Sequence, residues 1–329
     1  MFLRLLWESM NMRINHIVLS LLTLLVISCG TRKAEQFQAL PFPDVVPPAM
    51  MEDPHDRAEY MAMRMWNGLL DSERNYPCDS SMVNGVRKGD VEQKFANWIS
   101  ILDVAGQKVA EKSISSLYSK VYACEKKDTA SNVFETFTEF VDKYMFDPNS
   151  PLRNEDYYGV YAARLASCEF ISAPMQEKYA RDARLCSLNK VGTKAADFRF
   201  ADKRGKINTL YNIKAPYTLL FFSNPGCEAC MNIINVLKGE PAIAELISSG
   251  KMAVLNIYID EDLDAWRSYM SVYPEEWHNG FDPDFVIRNE MLYNVRAIPS
   301  LYLLDSDKTV ILKDAPENRV FDYLVNNLL

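Results

Sequence analysis

The sequence is short of positive charge. Its 329 residues include 36 lysines and arginines against 44 aspartates and glutamates, which gives a formal net charge of -8 at pH 7. Nucleic acids and anionic membrane surfaces are both negatively charged, so the proteins that bind them usually present an excess of basic residues. The charge balance therefore argues against both as partners.

Histidine is also scarce, and the sequence has a single Cys-x-x-Cys pair, Cys227 and Cys230. Of the 3 histidines, only His55 and His278 follow the apolar segment near the N-terminus. A structural zinc site takes four ligands, so a zinc site built on this pair would lack two of them. We predict no metal and no cofactor, while a purely structural disulfide stays open as an alternative.

Long apolar runs are missing apart from residues 17–27, which follow Arg13 and His16. This run is too short to span a bilayer comfortably as a permanent helix. Its ending, Val-Ile-Ser-Cys29, resembles a bacterial lipobox. The resemblance implies a lipoprotein signal peptide over 1–29, cleaved just before Cys29, and lipid attached to Cys29. An ordinary signal peptide and an uncleaved anchor are the alternatives, and all three would export the chain.

The clearest chemistry lies around the Cys-x-x-Cys pair. Residues 217–222 form an apolar run without alternation, which is typical of a strand buried on both faces. Asn224-Pro225-Gly226 breaks this strand, and the apolar spacing that follows predicts a helix from Cys227. Both cysteines would lie in its first turn, where free backbone N–H groups and the helix dipole favour a thiolate. Cys227 is predicted to attack a disulfide and Cys230 to resolve the mixed disulfide.

A second motif, Arg296-Ala-Ile-Pro299-Ser-Leu-Tyr-Leu-Leu-Asp305, places a proline at the start of an apolar strand, where a missing backbone donor is tolerated. With the dithiol stretch it resembles the thioredoxin-like superfamily, and more closely its TlpA/ResA branch, over residues 190–329. The resemblance implies an α/β thioredoxin-like fold, with a central mixed sheet flanked by helices. It also implies a cis peptide between Ile298 and Pro299 that faces the dithiol, and substrate binding by these two residues.

Three positions depart from that family. Thioredoxins carry a buried carboxylate where this chain has Phe221, and the ResA-type branch carries one where it has Ile233. Gly226 replaces the tryptophan beside the first cysteine. Glu228, between the cysteines, opposes thiolate formation by like-charge repulsion. The proton acceptor for Cys230 is therefore unassigned.

Residues 30–53 are predicted to be a tether, because they contain four prolines and no periodic apolar pattern. Residues 54–189 follow a helical pattern throughout. The predicted helices cover 55–70, 90–104, 107–125, 130–145, 155–168 and 174–188. The stretch 144–155, together with residues 57–60 and Trp66, is similar to a helical domain of unknown function that precedes thioredoxin-like domains in Bacteroidetes lipoproteins. That resemblance implies no activity, and a plain helical bundle explains the same residues equally well.

Four cysteines in the helical half need a separate interpretation. Cys168 and Cys186 fall on consecutive predicted helices at unequal distances from the turn, and at about 1.5 Å per residue they would be offset by roughly 12 Å. They are poor disulfide partners. Cys78 and Cys124 could meet, but spacing does not establish connectivity. We expect buried free thiols.

The sequence thus predicts an all-α domain over 54–189 and an α/β thioredoxin-like domain over 190–329. The protein is expected in the cell envelope, lipid-anchored in the outer membrane and facing the periplasm. One predicted function is that of a thiol-disulfide oxidoreductase acting on protein disulfides or dithiols, with a membrane-bound electron donor or acceptor as a further partner. The alternative is a non-catalytic envelope binding module, in which the helical domain recognises a partner and the dithiol is incidental.

Overall fold

The structure is a computed structural model that describes residues 38–71, 76 and 79–328. Cys29, the predicted signal peptide and the first part of the predicted tether lie outside the described residues, as does Cys78. Leu40–Leu329 form one compact unit. Within the described ranges, no helix combines the length and the apolar character needed to cross a membrane.

The first half of this unit is helical, as predicted. Its helices are α1 (Pro54–Arg64), α2 (Asn67–Leu70), α3 (Lys88–Ala105), α4 (Gln107–Lys127), α5 (Val133–Val141), α6 (Glu155–Leu165) and α7 (Ala173–Cys186). A π-helix, Asp142–Phe146, continues α5. The helix predicted over 55–70 is interrupted between Arg64 and Asn67, whereas the other predicted helices agree to within a few residues at their ends.

A short hairpin joins α2 to α3. Its strands are β1 (Met82–Val83) and β2 (Val86–Arg87), which pair antiparallel. Asn84 and Gly85 form the turn between them, with φ of 47° and 79°. This left-handed pair is the backbone of a tight two-residue hairpin, and it adds one element to the helical half that the sequence analysis did not predict.

Aromatic side chains fill the core of the helical half. Trp66 contacts Phe137 edge-on, with 5.0 Å between the ring centroids, and it contacts Trp98 at 5.7 Å. Phe95 and Phe140 pack into the same group at 5.6 Å from each other. The apolar residues that recur at helical spacing on α3 and α5 therefore form the core.

The second half is built on a seven-stranded mixed sheet. Its strands are β3 (Arg199–Asp202), β4 (Ile207–Thr209), β5 (Tyr217–Phe222), β6 (Met252–Tyr258), β7 (His278–Phe281), β8 (Ser300–Leu304) and β9 (Val310–Leu312), in the spatial order β4-β3-β7-β6-β5-β8-β9. The flanking helices are α8 (Glu228–Gly239), α9 (Pro241–Ser248), α10 (Leu263–Tyr269), α11 (Val286–Asn289) and α12 (Glu317–Leu328). This is the predicted architecture of a central mixed sheet with helices on its faces.

Strand β5 occupies an interior position, parallel to β6 and antiparallel to β8. Leu219 and Phe221 belong to the apolar cluster on one face of the sheet, and Leu220 and Phe222 belong to the cluster on the other. All four side chains are fully buried, at 0% exposure. The unalternating apolar run is therefore a strand covered on both faces, and the turn after Phe222 begins at a fully buried residue.

Each half has its own apolar core. The buried apolar cluster of the helical half draws on residues 58–186, and the two clusters of the sheet draw on residues 195–324. The described contacts between the halves include several buried polar and charged ones, in which residues 153–156 meet residues 294–296 and 313–315. The domain boundary at 189/190 stays a prediction.

Candidate functional site

The two cysteines lie directly beyond the carboxyl end of β5. Ser223 to Gly226 form the turn, in which Gly226 has a φ of +72° that favours glycine. Cys227 is the N-cap of α8, and Cys230 lies in the first turn of the helix. The sequence predicts both cysteines inside the first turn, so the helix begins one residue later than predicted. The two residues are joined by a disulfide, with 5.2 Å between their Cα atoms.

The two sulfurs have unequal surroundings. Cys230 is 1% exposed, while Cys227 is only half-buried. The backbone N–H of Cys230 donates to Cys227 Sγ, with 3.1 Å between nitrogen and sulfur. That donor belongs to the helix N-terminus, where the backbone N–H groups carry partial positive charge. Negative charge on a reduced Cys227 would therefore be stabilised, as expected of an attacking thiolate.

A cis peptide bond joins Ile298 and Pro299, as the family resemblance implied. Ser300, the next residue, begins β8 and pairs with Phe222 at the end of β5. Pro299 therefore lies beside the turn that carries the cysteines. Ile298 packs against the apolar clusters on both faces of the sheet, one of which includes Cys230. The roles of Ile298 and Pro299 in substrate binding remain predictions.

A buried polar chain runs from this turn across the sheet. Ser223 Oγ donates to Asn256 Oδ1 at 2.5 Å, and Asn256 Nδ2 donates to Asn279 Oδ1 at 3.0 Å. Tyr273 Oη lies 3.4 Å from Ser223 Oγ, and burial raises the pKa of this tyrosine. Asn256 on β6 pairs with Phe221, and Phe221 occupies the position where thioredoxins carry their buried carboxylate. The polar side chains beside the first part of the turn are thus neutral amides and hydroxyls.

One carboxylate contacts the turn itself. Asn224 Nδ2 donates to Asp260 Oδ2 at 2.6 Å, and Arg288 Nη1 lies 2.6 Å from Asp260 Oδ1. Asp260 is not among the predicted site residues, because nothing in the local sequence connects it with a turn 36 residues earlier. The proton acceptor for Cys230 is still unassigned.

A crystal structure of a thioredoxin-like protein from Bacteroides caccae is 34% identical to this chain, covers 88% of it and 99% of its own length, and superposes with a TM-score of 0.73. This chain belongs to the thioredoxin-like family. Residues 26–189 of this thioredoxin-like protein also match the family model described as a domain of unknown function, DUF5106. That match agrees with the expected domain of unknown function in the helical half. The comparison with curated proteins gave no match.

Two further solved structures align with about two fifths of this thioredoxin-like protein. The C-terminal domain of an uncharacterized protein from Bacteroides fragilis is 48% identical and covers 42% of this chain and 99% of its own, with a TM-score of 0.41. The thioredoxin domain of a thiol-disulfide oxidoreductase from Bacteroides vulgatus is 17% identical and covers 41% of this chain and 97% of its own, with a TM-score of 0.36.

The other described cysteines of this thioredoxin-like protein are free thiols. Cys168 and Cys186 are buried and unpaired, as expected from their unequal distances to the turn, and Cys124 is half-buried. Burial raises the pKa of the Cys124 and Cys186 thiols, which leaves less reactive thiolate at neutral pH. These residues therefore do not resemble a second redox centre.

In the described part of the chain, one group of side chains has the spacing of metal ligands. Asp53, His55 and Asp56 are exposed, and their ligand atoms lie within 4.8 Å of one another. Asp53 is already the N-cap of α1, where its carboxylate accepts the backbone N–H groups of the other two residues. Helix capping accounts for this group, and that the protein works without a cofactor remains an expectation.

Proposed function

We propose that this protein is a thiol-disulfide oxidoreductase whose redox group is the Cys227–Cys230 pair. The observation that carries the proposal is the place of the pair in the fold. The disulfide lies at the N-terminus of α8, beyond the end of an interior strand and beside the segment that contains Pro299. Cys227, one of its two residues, is only half-buried. The similarity to a thioredoxin-like protein over 88% of the chain supports a redox type of function.

In the reducing direction, the reaction starts from the dithiol. The Cys227 thiolate attacks one sulfur of a substrate disulfide, a bond forms between them, and the other substrate sulfur leaves as a thiolate that takes up a proton. Cys230 then loses its proton, and its thiolate attacks Cys227 Sγ. The second substrate sulfur leaves as a thiolate that takes up a proton, and the Cys227–Cys230 disulfide is restored. Two electrons pass from the dithiol to the substrate, and an external thiol reductant then supplies two electrons that reduce the Cys227–Cys230 disulfide again. The reverse steps oxidise a substrate dithiol.

Protein disulfides or dithiols are the proposed substrates, with a membrane-bound electron donor or acceptor as the partner that resets the pair. Ile298 and Pro299 are proposed to hold the substrate chain. They lie next to the turn in the sheet, so a chain that runs along them reaches Cys227.

Trapping with Cys230→Ala tests the enzyme proposal. In this variant Cys227 still attacks, but nothing resolves the mixed disulfide, so partners should accumulate as covalent adducts that a reductant releases. The matched control carries Cys227→Ala as well and should trap nothing. The double variant should also lose disulfide-reductase activity while it keeps its fold, because a link between residues three apart contributes little loop entropy.

The binding-module alternative predicts the opposite behaviour of the double variant. If the dithiol is incidental, the protein without both cysteines should keep its partners and its role in the cell. Equal disulfide-reductase activity in the wild type and the double variant would overturn the enzyme proposal and leave the helical half as the functional part.

For the location we propose a lipoprotein of the cell envelope, anchored in the outer membrane through lipid on Cys29 and facing the periplasm. The support is the apolar run that ends in Val-Ile-Ser-Cys-Gly. Cys29→Ala should leave the precursor uncleaved or release the protein from the membrane fraction. Unchanged processing together with unchanged fractionation would contradict the lipid anchor.

A further inference from the structure

The segment that leads into Pro299 is held by the helical half. Asn294 Nδ2 and Arg296 Nε donate to one carboxylate oxygen, Glu155 Oε1, at 2.6 and 2.8 Å. Glu155 is the first residue of α6 and is 2% exposed. Arg296 also donates to the carbonyl oxygen of Phe146 and lies over its ring, 4.2 Å from the centroid. Two residues shortly before the cis peptide are therefore attached to the other half of the protein.

The residue after the cis peptide joins the same network through Asp314. Ser300 Oγ donates to Asp314 Oδ1 at 2.7 Å, and Arg296 Nη2 donates to Asp314 Oδ2 at 3.3 Å. From the helical half, Arg153 donates to the backbone carbonyl oxygens of Asp314 and Ala315 at 3.0 and 3.1 Å. The residues before the cis peptide thus contact the helical half directly, and Ser300 after it is linked to the helical half through Asp314.

The charges in this network balance. Its acidic members are Glu155, Asp156 and Asp314, and its basic members are Arg153, Arg296 and Lys313. Lys313 Nζ lies 3.2 Å from Asp156 Oδ1 and 3.4 Å from Glu155 Oε2. The residues are buried or nearly so, so the loss of one charge leaves an opposite charge unpaired away from water.

A second ion pair between the halves offers a comparison. Arg319 on α12 and Asp103 on α3 lie 3.0 Å apart, with side chains that are 35% and 33% exposed. This pair ties the halves together without contacting residues 294–300. The partners of Glu155, by contrast, lie before the cis peptide or in the segment that follows β9. The buried network therefore acts on the segment proposed to bind substrate.

We propose that Glu155 and Arg153 are positioning residues for the redox site, which hold residues 294–300 so that Ile298 and Pro299 present their backbone to a protein substrate beside Cys227. The inference rests on the proposed function and gives the helical half a task in it. A protein substrate must lie along this segment, whereas a small disulfide needs only the Cys227 sulfur. The network should therefore matter for the first kind of substrate alone.

The test uses the full chain and compares two disulfide substrates. Insulin is the protein substrate, and 5,5′-dithiobis(2-nitrobenzoate) is the small one. Glu155→Gln keeps the shape and an acceptor oxygen but removes the charge that faces Arg296 and Lys313. We expect kcat/KM for insulin to fall between about tenfold and a hundredfold, the scale of effect when a reacting group is displaced by about 1 Å. The rate with the small disulfide should stay at the wild-type value. Asp103→Asn, the matched control at the other ion pair, should change neither rate.

Thermal unfolding of each variant shows whether the fold survives. If Glu155→Gln alone unfolds, the double variant Glu155→Gln with Arg296→Gln, in which the facing charges are both removed, should show the same separation of the two rates. Equal losses for both disulfides, or no loss for either, would overturn the positioning role while the oxidoreductase proposal stands. A wild type that reduces neither disulfide would overturn the proposed function and this inference with it.

Discussion

The backbone N–H of Cys230 donates to the sulfur of Cys227, 3.1 Å away, while the sulfur of Cys230 belongs to a residue that is 1% exposed. One cysteine thus supplies a donor to the other and is itself shielded from water. The asymmetry follows from the helix geometry, because the N-cap side chain faces the free N–H groups of the first turn. It gives the two sulfurs different reactivities.

Cys227 should be alkylated before Cys230 in the reduced protein. Its thiolate is stabilised by the helix N-terminus and is reachable from solvent, so it should form at a lower pH than that of Cys230. Limiting iodoacetamide followed by mass spectrometry of the peptides measures the distribution of label. Cys124 and Cys186 serve as internal controls and should react more slowly, because burial raises the pKa of both thiols. Preferential labelling of Cys230 would contradict the assignment of the attacking thiol.

Gly226→Ala should destabilise the protein by about 1–2 kcal/mol, the usual cost of a left-handed backbone for a residue with a side chain. Gly226 has a φ of +72°, and an added Cβ would meet no atom within 4 Å, so the cost comes from the backbone alone. Gly239→Ala is the matched control. Gly239 also has open space around it, but it lies in α8 without a positive φ, so no loss of stability is expected. Urea unfolding of both variants measures the difference, and equal stabilities would contradict the prediction.

Asp142→Asn should stabilise the protein at neutral pH, because the amide is never ionised in its buried position. Burial raises the pKa of Asp142, and its Oδ1 has no hydrogen-bond partner among the described residues. A raised pKa means that ionisation costs the folded state more than the unfolded one. The cost is absent below the unfolded pKa of about 3.9 and complete above the raised folded pKa. The advantage of the variant should therefore grow as the pH rises from about 3 to 7.

Asp79→Asn provides a control of opposite sign. The backbone N–H of Ser81 donates to this exposed carboxylate and lowers its pKa, so the charged form favours the folded state. That contribution is present above the unfolded pKa and is lost as the pH falls through the folded pKa. The variant should be less stable than the wild type at neutral pH and equal to it in acid. Thermal unfolding of the wild type and both variants across the pH range measures these effects. If their stabilities change in parallel with pH, neither carboxylate behaves as described.

The two ion pairs between the halves should differ in their contribution to stability. Arg296→Ala leaves Glu155 and Asp314 short of a buried partner, so we expect a loss of about 3–5 kcal/mol. Arg319→Ala breaks a pair that is about one third exposed on each side, and a loss of at most about 1 kcal/mol is expected after solvent screening. Guanidinium unfolding of both variants makes the comparison. Losses of similar size would show that the buried network contributes no more than a surface pair.

The local sequence was informative wherever neighbouring residues decide the structure. The unalternating run of β5 predicted a strand buried on both faces, and Pro299 marked the start of the strand β8, while the place of this segment beside the cysteines came from the family resemblance. The hairpin turn at Asn84 and Gly85 carried a recognisable signal as well, since Asn-Gly between two short apolar stretches is typical of tight hairpins. That signal was not among the observations from which the helical half was predicted.

Contacts between distant residues were not predictable. Ser223 meets Asn256 because β5 and β6 pair in one register, and a shift of one residue would place different side chains opposite each other. Glu155 contacts Arg296, 141 residues away, through the packing of the two halves. Neither half's sequence indicates which residues of the other half it contacts. Charged residues in a predicted helix are usually solvated, so nothing in the sequence marked Glu155 as buried.

The separate apolar cores bear on how chimaeras of this protein should be built. Joining the helical half of this chain to the sheet half of a relative would keep both apolar clusters intact, since residues 58–186 and 195–324 pack among themselves. The charged contacts between the two halves differ from these cores, because their acidic and basic groups would come from both parents. A working hybrid must therefore inherit positions 153–156, 294–296 and 313–314 from one source, or its two well-folded pieces will meet with mismatched charges.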